Sequence, residues 1–188
     1  MKKAAIFLAD GFEEGEALFT LDIIRRGGIE IDSVSIGGEF VTSSRKITVK
    51  ADKILGDADL AEYDMVILPG GQPGSTNLSK DERVLKIVRN FISDKNKFVA
   101  AICAAPMVLK AAGVSKGRTL TSYPGANFTE MFSDANYVED QLVVQDGNLI
   151  TSRAAATCLP FAYKIIDALG GNSEPIKKSM LYDKLTGE

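Results

Sequence analysis

Short, continuously apolar runs alternate with segments of helical period along almost the whole chain. AAIFLA (residues 4–9), MVIL (65–68) and FVAAI (98–102) are too short for helices and are typical of strands that are covered on both faces. Between them, segments such as GEALFTLDIIRR (15–26) repeat apolar residues three or four positions apart, as a helix packed on a core does. This alternation predicts βαβ units and one three-layer α/β domain with a mostly parallel sheet.

Further segments complete the predicted order of elements. IEIDSVSI (29–36) is predicted as a strand, and the polar ITVKAD (47–52) as a short strand at an edge. Residues 79–96 are predicted as one helix, with Ser79 and Glu82 in the register of a capping box. LVVQDGNLIT (142–151) predicts a late hairpin that turns at Asp146-Gly147, and a last helix is expected over about 174–181. Without a linker or repeat, residues 1–188 are predicted to form a single domain.

Composition and charge exclude several classes of protein. The 188 residues carry a net charge of −3 and no basic stripe, so nucleic acid is not expected as a partner. No apolar run approaches the roughly 20 residues of a membrane span, and the apolar run at 4–9 is too short for an export signal. We therefore expect a cytoplasmic protein whose two cysteines stay reduced. Because the chain has no His and its cysteines are far apart, no metal site is predicted.

Three loops are predicted to meet at one edge of the sheet. DGFEEGE (10–16), PGGQPGSTN (69–77) and CAAP (103–106) each follow a predicted buried strand. Ligands of open α/β sheets bind beyond the carboxyl ends of such strands. One side of the molecule should therefore carry three carboxylates, a glycine-rich turn and a thiol.

Cys103 lies where the apolar run FVAAI ends, and two interpretations are open. It could be a small core residue, or it could be a nucleophile held at a tight strand-to-helix turn. The start of the next helix would favour a thiolate and lower its pKa, and the small residues Ala101 and Ala105 suit such a turn. Cys158 instead aligns at helical spacing with the apolar residues of one stripe, which predicts a structural role: Phe161, Ala162, Ile165 and Leu169.

The other two loops also allow two interpretations each. Glu13, Glu14 and Glu16 could all complement the dipole of a helix N-terminus, or one of them could face the thiol and share a proton with it. PGGQPG lacks the lysine and spacing of a phosphate loop. It could be an ordinary turn, or its N–H groups could stabilise an oxyanion.

Several motifs in the same order as a known family give this chain a specific resemblance. FLADGFEEGEA (7–17), IIRRGGI (23–29), SSRKITV (43–49), VILPGG (66–71), AAICAAP (100–106) and DGNLITSR (146–153) resemble the signatures of the ThiJ/PfpI superfamily, in its DJ-one-like branch. The resemblance covers nearly the whole chain. It implies a flavodoxin-like αβα sandwich, a homodimer and no cofactor.

The resemblance also implies roles for particular residues. Cys103 falls on the reactive thiol, and Glu16, rather than Glu13 or Glu14, falls on the acid that pairs with it. The backbone N–H groups of Gly71 and Ala104 fall on the oxyanion pocket. Four further residues are implied near the site, the two arginines also near the dimer contact: Gly70, Tyr123, Arg26 and Arg45.

Two departures from the family pattern restrict the function. Ala104 and Tyr123 stand where many members carry His, and the chain has no His at all. Without a Cys–His dyad, a peptidase or an amidotransferase-like hydrolase is disfavoured, since peptide hydrolysis needs a group that protonates the leaving amine. Two hypotheses stay open: cofactor-free detoxification of small 2-oxoaldehydes or glycated adducts, and a redox sensor or chaperone controlled by oxidation of Cys103.

Overall fold

The computed structural model describes residues 2–187, and its strands and helices alternate as the sequence predicts. The strands are β1 Lys3–Leu8, β2 Glu30–Ser35, β3 Phe40–Thr42, β4 Thr48–Lys50, β5 Lys53–Ile54, β6 Met65–Leu68, β7 Phe98–Ile102, β8 Thr119–Leu120, β9 Asn136–Tyr137, β10 Val143–Asp146 and β11 Leu149–Ser152. The α-helices are α1 Glu14–Arg26, α2 Gly74–Lys80, α3 Glu82–Ser93, α4 Pro106–Ala111, α5 Ala126–Met131, α6 Cys158–Ala168, α7 Glu174–Ser179 and α8 Tyr182–Thr186.

Seven strands form one sheet in the order β10-β11-β7-β6-β1-β2-β5. All neighbours are parallel except β10 and β11, which form the predicted antiparallel hairpin. Its turn contains Gly147 at φ 55°, a conformation that glycine adopts without steric cost. The predicted fold class, an αβα sandwich with a mostly parallel sheet and a late hairpin, is therefore confirmed.

Two apolar clusters pack against the sheet, one on each face. One contains residues of α1 and α6, and the other contains residues of α3 and α4. The central strands have almost no exposed residues because helices cover both of their faces. Their short apolar runs follow from this double burial.

Helix boundaries differ from the prediction at two places. The predicted helix over 79–96 is two helices, and the predicted capping box of Ser79 and Glu82 is wrong. Asp81 instead caps α3, and its side chain accepts hydrogen bonds from the N–H groups of Arg83 and Val84. The predicted last helix over about 174–181 corresponds to α7, and Leu181, with a left-handed φ of 57°, separates it from a further short helix, α8, which was not predicted.

The polar segment ITVKAD is also placed differently. Its central residues form β4, which pairs only with β3 in a separate two-stranded sheet. The strand at the edge of the main sheet is β5, only two residues long. β3, β5, β8 and β9 were not predicted, because strands of two or three residues carry too few positions to show a period; α5 was not predicted either.

A polar cluster lies near the start of β1, around a fully buried tyrosine. The hydroxyl of Tyr63 donates to Asp32 at 2.6 Å, and the ammonium groups of Lys3 and Lys53 each lie 3.3 Å from the same carboxylate. Burial alone would raise the pKa of Asp32, but the hydrogen bond and the two cations outweigh it and hold that pKa below its ordinary value. This cluster therefore stabilises the fold only while Asp32 is ionised.

Candidate active site

The three loops predicted to meet do meet, and backbone hydrogen bonds join the first two. The N–H of Glu13 donates to the carbonyl of Gly70 at 2.9 Å, and the N–H of Gly74 donates to the carbonyl of Gly11 at 3.2 Å. Gly11 has a φ of 87°, and a Cβ there would meet the ring of Pro73. Glycine is therefore required for the loop after β1 to lie directly against the loop after β6.

Cys103 occupies a strained turn at the end of β7. Its φ of 63° lies in the left-handed region, which is uncommon for residues other than glycine and costs on the order of 1–3 kcal/mol. The turn lies between the end of β7 and the start of α4 at Pro106, and Cys103 is only partly buried there. The small flanking residues Ala101 and Ala105 are fully buried, as the tight turn was expected to require.

Glu16, in the first turn of α1, is the acid that faces the thiol. Its side chain is only 1% exposed. Oε2 accepts a hydrogen bond of 2.7 Å from the N–H of Gly70, and the carboxyl group lies next to Cys103, since Oε2 and Cys103 Cβ both border Gly70. Oε1 is buried and has no hydrogen-bond partner within residues 2–187. One side of the carboxyl group is thus fixed by the backbone, and the group as a whole is held against sulfur.

The other two glutamates point away from the thiol. Glu13 accepts a hydrogen bond from the Ser44 hydroxyl at 3.2 Å, and Glu14 faces the same hydroxyl at 3.4 Å and the backbone N–H of Arg45. Both acids therefore tie α1 to the β3–β4 hairpin. This separation follows from the tertiary contacts, because nothing in the spacing of the three acids decides which one faces inward.

Burial and like charge control the protonation of the pair. Burial is the largest effect on Glu16 and raises its pKa to about 7, with a smaller contribution from the charge of Glu13. Burial and then the negative charge of Glu16 raise the pKa of Cys103 above its ordinary value, whereas the N–H groups of Ala104 and Gly71 lower it. The predicted low pKa of Cys103 is therefore wrong, because burial, together with the charge of Glu16, outweighs the N–H groups of the turn. A thiolate is favoured only when Glu16 holds the proton that the two groups share.

Gly70 and Gly71 allow this close approach. A Cβ on Gly70 would lie 2.5 Å from Glu16 Oε2 and 2.6 Å from Cys103 Cβ, so any side chain there would separate the acid from the thiol. Gly71 has a φ of 91°, and a Cβ there would collide with the backbone at Glu13. Glycine at these two positions serves both the conformation of the turn and the contact between the two reactive groups.

A pocket of about 300 Å³ opens beside the thiol. Six residues line it: Gly71, Gln72, Cys103, Ala104, Tyr123 and Phe128. The N–H of Tyr123 donates to the carbonyl of Cys103 at 2.8 Å, so its backbone is tied to the nucleophile turn. The structure thus brings Tyr123 to the pocket wall.

The two arginines that the resemblance placed near the site do not line this pocket. Arg26 lies ten residues after Glu16 on α1, about 15 Å along the helix axis, and pairs with Asp22 at 2.7 Å. Within one chain Arg26 therefore does not line the pocket, because it and Glu16 occupy opposite ends of one helix; its implied place near the dimer contact stays a prediction. Arg45 is exposed in the β3–β4 hairpin, next to Glu14.

Sequence reasoning missed two of the lining residues. Gln72 belongs to the glycine-rich loop, and Phe128 belongs to α5, which was not predicted. The apolar spacing of Phe128, Met131 and Phe132 is a signal that could have identified that helix. Cys158 was placed correctly: it is buried in the core beneath α1, where burial and the charge of Glu16 raise its pKa to about 11.

Two properties of residues 2–187 bear on how the site could work. No group of three or more His, Cys, Asp or Glu residues among them could hold a metal ion. No helix in that range is long and apolar enough to cross a membrane.

Comparison with known proteins gives consistent matches over nearly the full length. The chain is 40% identical to Protein dj-1beta of Drosophila melanogaster over 174 residues, 92% of each chain. The crystal structure of Drosophila melanogaster DJ-1beta superposes with a TM-score of 0.90 at 38% identity, covering 96% of this chain and 97% of that one. The chain is also 30% identical to the glutathione-independent glyoxalase DJ-1 of Schizosaccharomyces pombe, over 93% of this chain and 94% of the relative.

The matching family model extends over residues 2–168, which includes β1, the nucleophile turn and α6. Fold, sequence identity and family model all agree with the resemblance seen in the motifs. The chain belongs to the DJ-1/PfpI family.

Proposed function

We propose that the protein converts small 2-oxoaldehydes, such as methylglyoxal, into 2-hydroxy acids without a cofactor. The observation that carries this proposal is the Cys103–Glu16 pair: a thiol on a strained turn, next to a buried carboxyl group whose pKa is raised to about 7. A relative at 30% identity is named a glutathione-independent glyoxalase. In such an enzyme the thiol of the protein takes the place of glutathione.

The first step adds the thiol to the aldehyde. The sulfur of Cys103 forms a bond to the aldehyde carbon, and the electron pair of the carbonyl moves to oxygen. The N–H groups of Gly71 and Ala104, which face the sulfur, lie where they can stabilise that negative oxygen. Glu16 supplies the shared proton, which yields a neutral hemithioacetal and leaves Glu16 as a carboxylate.

The second step moves a proton between neighbouring carbons. The carboxylate of Glu16 removes hydrogen from the carbon bonded to sulfur, which gives an enediol, and returns a proton to the adjacent carbon. The product is a thioester of a 2-hydroxy acid on Cys103. Water then hydrolyses the thioester and restores the thiol, so the overall reaction adds one water molecule and needs no external oxidant or reductant. A pKa near 7 suits Glu16 to both giving and taking a proton.

A second candidate function uses the same thiol as a peroxide sensor. Peroxide would oxidise Cys103 to the sulfenic and then the sulfinic acid, and a protonated Glu16 would donate a hydrogen bond to the sulfinate. The observation that favours this candidate is the set of donors already directed at the sulfur, the Gly71 and Ala104 N–H groups. Oxidation would then change partner binding or chaperone behaviour. Early glycation adducts are a further class of substrate for the same thiol chemistry.

The assembly that we propose is a homodimer of single-domain protomers. Apolar side chains are exposed on α1 and on the β3–β4 hairpin: Leu18, Phe19, Phe40 and Ile47. Glu13 and Glu14 hold these two elements together, so the two elements that carry the exposed apolar side chains are neighbours. Sedimentation at micromolar concentration should give twice the chain mass of 20.2 kDa; a monomer mass would reject the dimer.

Lactate formation from methylglyoxal, in the absence of glutathione, tests the proposed reaction. The wild type should produce lactate, Cys103→Ser should not, and Cys158→Ser should match the wild type because Cys158 lies outside the pocket. If wild-type protein produces no lactate while peroxide readily oxidises Cys103, the enzymatic function is wrong and the sensor takes its place.

A further inference from the structure

The pocket beside Cys103 has an aromatic wall that the proposed reaction does not explain. The rings of Tyr123 and Phe128 meet edge to face with centroids 6.2 Å apart. Tyr123 is 47% exposed, although its backbone N–H is bonded to the carbonyl of Cys103. The large aromatic ring of Tyr123 is thus partly exposed to solvent next to Cys103. Methylglyoxal, whose substituent is a single methyl group, is too small to cover it.

The size of the pocket suits a ring on the substrate. Its volume is about 300 Å³, and a cavity of about 150 Å³ already accommodates benzene. A phenyl group and the two reacting carbons of an oxoaldehyde therefore fit together. Aromatic rings prefer offset or edge-to-face neighbours, and the Tyr123–Phe128 pair supplies such neighbours at the wall of the pocket.

The charge of the pocket disfavours anionic substituents on the substrate. None of the lining residues Gly71, Gln72, Cys103, Ala104, Tyr123 and Phe128 is a cation. The nearest ionisable partner of the thiol is Glu16, which is itself an acid. A phosphate or carboxylate on the substrate would therefore enter without a counter-ion and beside a negative charge, which is unfavourable.

We propose that Tyr123 and Phe128 are specificity-determining residues that select neutral, aryl-substituted 2-oxoaldehydes over methylglyoxal. This inference rests on the proposed function for its substrate class. The aryl group lies against the two rings, while the aldehyde carbon reaches Cys103 Sγ. Contact between aromatic rings typically changes a rate or affinity by about 2- to 10-fold per pair. The wall should therefore contribute about tenfold in total, nearly all of it through Tyr123, because its ring is exposed whereas Phe128 is partly buried.

Turnover of two substrates by matched variants gives the first test. The ratio of kcat/KM for phenylglyoxal to that for methylglyoxal is measured without glutathione, so the intrinsic reactivities of the two aldehydes cancel when variants are compared. Tyr123→Ala and Phe128→Ala should each lower this ratio, by about tenfold for Tyr123→Ala, mostly through KM for phenylglyoxal. Tyr123→Phe keeps the ring and should restore the ratio. Leu185→Ala, which removes an exposed apolar side chain outside the pocket, should leave it unchanged.

Alkylation of Cys103 gives a second test that does not need turnover. 2-Bromoacetophenone and bromoacetone present the same reactive carbon beside an aryl or a methyl ketone. In both cases sulfur bonds to that carbon, bromide leaves with the electron pair, and the thiol proton is released. The ratio of the two rates on Cys103, divided by the same ratio for free N-acetylcysteine, should be about ten for the wild type and near one for Tyr123→Ala.

The two tests separate failure of this inference from failure of the proposed function. Absence of turnover with both aldehydes, together with an aryl preference in alkylation that Tyr123→Ala removes, overturns the oxoaldehyde reaction but supports the aromatic wall. An alkylation ratio equal to that of N-acetylcysteine overturns the aromatic wall, whatever the turnover. If Tyr123→Phe lowers the alkylation ratio as much as Tyr123→Ala does, the aromatic wall is also overturned, because the ring would then not be the selecting group.

Discussion

Replacing Gly70 by Ala should push Glu16 and Cys103 apart while leaving both of these residues in the sequence. Gly70 lies between Glu16 and Cys103, and its N–H donates to Glu16 at 2.7 Å. Its φ is outside the left-handed region, so alanine can adopt the same backbone conformation. The added methyl group would lie 2.5 Å from Glu16 Oε2, 2.6 Å from Cys103 Cβ and 3.1 Å from the N of Ala104. The effect of the substitution is therefore steric.

The size of the effect follows from these distances. Non-bonded atoms of this kind rest at roughly 3.5 Å, so the carboxyl group or the thiol must move by about 1 Å. A misplacement of that size in a reacting pair can lower kcat by about 100-fold. The overpacked contact should also cost about 1–3 kcal/mol of the free energy of unfolding, a fall in Tm of roughly 3–10 °C for a chain of this length.

The assay measures lactate formation from methylglyoxal together with thermal unfolding. Gly38→Ala is the matched control, because a Cβ there has no atom within 4 Å and its φ is also outside the left-handed region. The control should keep both kcat and Tm. If Gly70→Ala keeps wild-type turnover with an unchanged Tm, the close contact between Glu16 and Cys103 is not needed for the chemistry, and the proposed proton transfer is refuted.

Three more outcomes are expected. Iodoacetamide should modify Cys103 faster than Cys158 at neutral pH, since Cys158 is buried in the core; peptide mapping measures both rates. Glu16→Gln should lower turnover by about 10²–10⁴-fold, whereas Glu13→Gln should leave it nearly intact. In the Glu16→Gln variant, Cys103 should alkylate at least as fast as in the wild type, because the substitution removes the negative charge that raises the pKa of the thiol. Asp32→Asn should reduce the free energy of unfolding, measured by urea denaturation, at pH 7 but much less at pH 2. The pKa of Asp32 is lowered in the folded state, so its carboxylate stabilises the fold above the unfolded pKa of about 3.9. This contribution is lost as the pH falls through the folded pKa.

Each of these outcomes has a control or a contrary result. Equal labelling of the two cysteines would contradict the greater accessibility of Cys103, which is only partly buried. Normal turnover by Glu16→Gln would show that another group carries the proton. Asp22→Asn is the control for Asp32, because Asp22 forms only a half-exposed pair with Arg26 on the helix surface, a type of pair that is worth little. A loss of stability in Asp22→Asn equal to that in Asp32→Asn would contradict the role of the buried cluster.

Glu16 also links function to stability. Its folded pKa of about 7 lies above its ordinary value of 4.5, so the native state binds the proton more tightly than the unfolded chain does. The free energy of unfolding therefore falls as the pH rises from 4.5 to about 7, by about 3 kcal/mol at most. A buried acid that can exchange a proton near neutral pH thus lowers the stability of the fold that holds it.

The sequence by itself determined the fold class and the place of the site. Strands that are buried on both faces must be apolar along their whole length, so the runs at β1, β6 and β7 were visible without any structure. The carboxyl ends of parallel strands lie at one edge of the sheet, and this rule predicted that the loops of Glu16, Gly70 and Cys103 lie close together. Short strands such as β5 could not be predicted, because two or three residues show no period.

Only the tertiary structure decided which groups touch. The spacing of the three glutamates at positions 13, 14 and 16 does not show which of them faces the thiol. Glu16 faces it because Glu13 and Glu14 are hydrogen-bonded to Ser44 in the β3–β4 hairpin. Arg26, on the same helix as Glu16, lies far from the pocket because a helix rises about 1.5 Å per residue. The pKa of Cys103 likewise depends on burial and on a neighbour that is distant along the chain. Desolvation and charge act through space, and the order of residues does not record those distances.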